Sequence, residues 1–85
     1  MKAEFKSIVL LLTTQAMMNM GEINDPVSND SKIDKENSLL FISLLEELEK
    51  KTRGNLADNE EKFLNDVINN LNTVFKNKFE ERIVQ

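Results

Sequence analysis

Residues Ile42 to Leu56 read Ile-Ser-Leu-Leu-Glu-Glu-Leu-Glu-Lys-Lys-Thr-Arg-Gly-Asn-Leu. In order, they spell the last turns of an amphipathic helix, its stop, and the approach to another helix. Phe41, Leu44, Leu45 and Leu48 give the i, i+3, i+4, i+7 spacing of one helical face, widened by Leu40 and Ile42. Lys50, Lys51 and Arg53 crowd the final turn, where cations meet the negative end of the helix dipole. Gly54 suits the left-handed position just past a helix. Upstream, Asp34 is a good N-cap and Glu36 complements the dipole in the first turn, which places this helix at about 34–53. With only 2 Gly and 1 Pro among 85 residues, little else in the chain would interrupt helices.

Two further segments carry helical spacing. From about Glu4 to Met20, the residues Phe5, Ile8, Val9, Leu12, Ala16 and Met20 form one apolar face, and Gly21 is placed to end the helix. Leu10, Leu11, Met17 and Met18 lie off that face, and a helix that is apolar on two sides needs cover on two sides. From Asp58 onward, Phe63, Leu64, Val67, Ile68, Leu71, Val74, Phe75 and Phe79 keep the same spacing, with Asn65, Asn69, Asn70, Asn72 and Asn77 opposite. Asp58 and Glu61 resemble a capping box with an acid in place of the usual hydroxyl. Between the first two helices, residues 22–33 hold Asp25-Pro26 and Ser28-Asn29-Asp30-Ser31, which is turn chemistry. The expected fold is an all-α, three-helix domain with helices at about 4–20, 34–53 and 58–79. A single domain spans 1–85, with a polar 22–33 loop and a frayed tail at 80–85.

Composition narrows function. A hydrophobic fraction of 40% and a charged fraction of 31% are those of a globular chain. The net charge of -4 speaks against a nucleic-acid binder, which needs a basic stripe against phosphates. Absent Cys removes disulfides and thiol chemistry, and absent His removes the commonest general base and metal ligand. A domain this small without such staples is expected to gain stability by oligomerising. At the N-terminus, Lys2 and Lys6 before the apolar run Ile8–Leu12, with Ala16 after it, loosely resemble a secretory signal. Glu4 in the basic region and Thr13-Thr14-Gln15 after the run favour a cytoplasmic helix instead. No apolar stretch reaches the roughly 18 residues of a spanning helix.

The candidate sites mostly have structural readings. Glu46, Glu47 and Glu49 invite an acid/base or metal role, yet Lys50 and Lys51 stand four residues after Glu46 and Glu47, the arrangement of surface pairs. Asp58, Glu60 and Glu61 complement a helix N-terminus. Thr52-Arg53-Gly54-Asn55 suggests an anion site, but a tight turn after a helix accounts for each residue. Ser38, Ser43, Thr13 and Thr14 have no histidine to activate them. Met17, Met18 and Met20 suit either a core or an adaptable docking surface.

The run Ile-x-Leu-Leu-x-x-Leu-x-x-Lys-Thr-Arg-Gly-Asn-Leu at 42–56 resembles the signature of a short bacterial family known as domain of unknown function 1844. Upstream, Phe5, Met20-Gly21-Glu22, Pro26 and Ile33-Asp34 follow in matching order, and Glu60, Glu61 and Leu64 fit the start of the last helix. Two positions depart from the pattern. Ser43 stands where an acidic residue is expected, and Ala57 where a Thr or Ser cap follows Leu56, an absence Asp58 is placed to offset. The resemblance implies a small, all-helical cytoplasmic protein and brings no catalytic residues. Together these readings predict a non-enzymatic chain that needs no cofactor or metal. It is expected to form a homo-oligomer, a dimer before larger forms, with Leu10, Leu11, Met17 and Met18 at the interface. The first alternative is an adaptor that docks the same helix on a different protein, and the second is an acid/base or metal-dependent enzyme working through Glu46, Glu49, Asp58 or Glu61.

Overall fold

The computed structural model describes residues 4–24, 27 and 32–79. Three helices make up the fold: α1 (Phe5–Asn19), α2 (Lys35–Thr52) and α3 (Asp58–Phe79). Among the described residues there is no strand. The turn residues at 25–26 and 28–31 and the tail at 80–85 lie outside the described residues.

Each helix packs on both others, α1 and α2 most extensively. Val9, Ala16 and Met20 from α1 and its cap, Ile42 and Leu45 from α2, and Leu64 and Leu71 from α3 are fully enclosed. Phe5, Leu12, Phe41, Leu48, Phe63, Val67, Val74 and Phe75 pack around that centre. The enclosed Ser38 is the one polar side chain there among the described residues. Its hydroxyl donates to the Asp34 carbonyl at 2.7 Å, which removes the cost of burying an unpaired donor.

The helix ends follow the chemistry of their residues. Asp34 caps α2, its carboxylate accepting from the Asn37 N–H at 2.9 Å. α1 stops in a Schellman arrangement: the Gly21 N–H donates to Met18 and the Glu22 N–H to Met17. Gly21 sits at φ 79, where a side chain would be strained. The Asp34 N–H also donates to the Asn19 carbonyl at 2.7 Å, tying the start of α2 to the end of α1.

Gly54 takes the left-handed position past α2 as expected, as the third residue of a type II turn: Arg53 lies at φ -57, ψ 128, Gly54 at φ 86, and the Asn55 N–H donates to Thr52 at 2.8 Å. Several other expectations need correction. Asp58 does not cap α3. It is the first helical residue, and the Ala57 carbonyl accepts the first bonds, from Glu60 and Glu61. Glu60, not Glu61, reaches back to the Ala57 N–H at 3.0 Å, the acid's half of a capping box. The phase of α2 also differs. Its buried stripe runs through Ser38, Ile42 and Leu45, while Leu40 and Leu44 are exposed. On α1, Ile8 is 48% exposed although its spacing placed it with the core.

Candidate functional site

Two surface features are candidates. The first is a mixed-charge cleft of about 500 Å³ that includes Glu46, Glu47, Glu49, Lys50, Arg53 and Asn65. It arises because α2 places its acids between its basic last turn and the asparagine face of α3. Each acid is engaged. Glu49 holds Arg53 through two bonds, Nε to Oε2 at 3.1 Å and the terminal guanidinium nitrogen to Oε1 at 2.6 Å. Glu47 meets Lys51 at 4.0 Å, the expected pair. Glu46 does not pair with Lys50; its carboxylate instead accepts from Asn72 Nδ2 at 3.3 Å, across to α3. Lys50 acts on Glu49 through space.

At Glu49 the electrostatics run against general-base chemistry. The hydrogen bonds from Arg53, opposed by partial desolvation and aided by the Arg53 and Lys50 charges, hold the Glu49 carboxyl below the usual glutamate range. A base working near neutrality needs the opposite shift. The Arg53 guanidinium is correspondingly raised, first by its bond to Glu49. Among the described residues, no three Asp or Glu side chains converge where a cation could be held. The Thr13 hydroxyl is committed to the Val9 carbonyl at 2.7 Å, and the Ser38 hydroxyl to its own helix as above. The 52–55 segment is the type II turn, with its Arg53 side chain directed to Glu49.

The second feature is the outer side of α1. Leu10 is 54% exposed and Leu11 60% exposed, on the side of the helix away from Val9, Ala16 and Met20. With Ser7 and Thr14 they line a shallow apolar depression of about 460 Å³. Met18 is half-buried and lies one heptad after Leu11, on the same side. Met17 packs against the core, so the exposed apolar face centres on Leu10 and Leu11, with the half-buried Met18 at its end. Lys6 is the only charged residue from Phe5 to Asn19, and its ammonium lies over the Phe63 ring at 5.7 Å. On α2, Leu39, Leu40 and Leu44 are also exposed, although the spacing placed Leu40 and Leu44 on the core face. Among the described residues, no helix is long and apolar enough to cross a membrane.

The fold and surface define a small all-helical domain with an unpaired apolar helix face. The chain belongs to the family described as Domain of unknown function (DUF1844), whose model matches residues 2–77. No curated protein and no solved structure matches it.

Proposed function

We propose that this chain is a non-catalytic, cytoplasmic helical module that works by self-association, as a dimer, through the outer face of α1. The observation that carries this reading is the exposure of Leu10 and Leu11 on a helix side with no charged residue between Ser7 and Asn19. Fully burying a leucine side chain contributes about 1.5–3 kcal/mol, so covering these residues on two copies contributes several. That is comparable to the whole stability of a domain of this size. The acids of the cleft support the non-catalytic part, because Glu46, Glu47 and Glu49 each have a partner in Asn72, Lys51 and Arg53. Lys51 and Arg53 near the end of α2 are likewise offset by acids, which supports neither nucleic acid nor anionic membrane as a partner.

Size-exclusion chromatography with light scattering, over a range of concentrations, tests the reading. The expected result is a dimer that Leu11→Asp or Met18→Asp converts to a folded monomer. A wild-type monomer at every concentration overturns self-association. If that monomer also binds a different protein in a one-to-one complex sensitive to Leu11→Asp, the adaptor reading takes its place.

A further inference from the structure

We infer that the second copy docks with its α1 antiparallel to the first, in the register that sets Ser7 against the partner's Met18 and Leu11 against the partner's Thr14. This rests on the self-association reading above and specifies its geometry.

Ser7, Leu11, Thr14 and Met18 recur at steps of four, three and four residues, the spacing of a seam between two packed helices. Leu10 flanks that seam and is exposed. The seam alternates small and large: serine, leucine, threonine, methionine. Reversing one helix about a two-fold axis between residues 12 and 13 matches positions whose numbers sum to 25. Every layer then sets a large side chain against a small one. The depression lined by Ser7, Leu10, Leu11 and Thr14 is the hollow that receives the opposing leucine. A parallel pairing would stack Leu11 on Leu11 and Thr14 on Thr14, giving crowded layers between underfilled ones, and interiors favour even packing.

Charge and hydrogen bonding agree with this arrangement. Lys6 is held over Phe63 and no other charge lies along α1, so like charges do not meet across the seam. Antiparallel helices also place opposite dipole ends side by side. Burying Thr14 need not strand its hydroxyl, because helical threonines bond the carbonyl four residues back. Thr13 does so to Val9, Thr52 to Leu48 and Thr73 to Asn69. At 15 residues α1 is about 22 Å long. A seam of that length belongs to the small class of interfaces, which form and dissociate readily.

The chain has no cysteine, so introduced thiols report on the register directly. Ser7→Cys and Met18→Cys variants are oxidised separately and as an equimolar mixture, and light scattering gives each solution mass. In the antiparallel register, the thiol at 7 faces the partner's thiol at 18. Two thiols at 7 are eleven residues apart along the axis, about 16 Å, and a disulfide needs Cα atoms within about 7 Å. The mixture should therefore yield the mixed disulfide, and neither variant alone should cross-link. Homodimeric cross-links from each variant alone would overturn the register and leave self-association through α1 standing. A dimer without cross-links would move the interface off this face and overturn the inference. A monomer at every concentration would remove the proposed function with it. Thr14→Leu supplies a second reading on an exposed position that leaves the core untouched. Antiparallel packing is then overfilled and association weakens about tenfold, whereas a parallel seam would gain a leucine layer and tighten.

Discussion

α1 and α3 are both rich in apolar residues, yet they use them differently. α3 confines Phe63, Leu64, Val67, Ile68, Leu71, Val74 and Phe75 to one side and turns Asn65, Asn69, Asn70, Asn72 and Asn77 outward. Among the described residues, none of its large apolar side chains is exposed. α1 buries Val9 and Ala16 and still leaves Ile8, Leu10 and Leu11 largely in solvent. The polar faces set them apart: α3 is saturated by its own core, and α1 carries apolar surface beyond what one core can cover. Because α3 of the same fold shows no such surplus, the outer face of α1 stands out as a candidate interface.

The largest expected effect tests that contrast directly. Leu64→Ala or Leu71→Ala on α3 should cost about 2–5 kcal/mol of unfolding free energy, the range for enclosed leucines. Leu11→Ala on α1 should change single-chain stability by only about 0.5 kcal/mol, as exposed positions do. Urea unfolding at a concentration where the chain is monomeric measures both, and equal losses would break the comparison.

Next come the helix ends. Gly21→Ala forces a side chain to φ 79 at the end of α1 and should cost about 1–2 kcal/mol in the same assay. At the start of α3, Ala57→Ser should instead stabilise by about 1 kcal/mol, since it adds the hydroxyl half of a capping box whose acid half, Glu60, is already in place. No gain there would mean that Ala57 is not the cap of α3.

The smallest effect concerns pH. The folded pKa of Glu49 is lowered, chiefly by the Arg53 hydrogen bonds, so its contribution to stability is present above the ordinary glutamate pKa of about 4.3. It is lost as the pH falls through the lowered folded value. Glu49→Gln should therefore flatten the acid limb of a stability–pH profile and leave its shape near neutrality unchanged. A steepened acid limb would contradict the pairing. Because the pair is exposed, the change should be small.

Much of the fold is legible in the sequence because spacing and caps point the same way. Asp34 caps as its residue type demands, Gly21 and Gly54 end their helices, and three helices appear at nearly the expected limits. Phase is harder to read than existence. The leucine-rich stretch of α2 announces a helix but not that Ser38 belongs inside and Leu44 outside, since the choice depends on how closely neighbouring helices approach. Cross-helix partners are hidden for the same reason. Glu46 has an attractive lysine four residues on, yet Asn72 on α3 lies within reach. On α1 the two-sided apolar pattern is plain, but only packing separates Met17, which joins the core, from Leu10 and Leu11, which do not. The Glu49–Arg53 clasp was open to sequence reasoning: its i, i+4 spacing is that of Glu47 and Lys51.

The bond between the Asp34 N–H and the Asn19 carbonyl has an engineering consequence. It fixes where the chain leaves α1 and where it joins α2, so the packing of the helices is insulated from the length of the segment between them. Closing a longer segment costs little, about 0.6 kcal/mol for each doubling. Val27 is almost wholly exposed, so an epitope or a fluorophore-bearing insert at that residue is expected to leave the three helices in place.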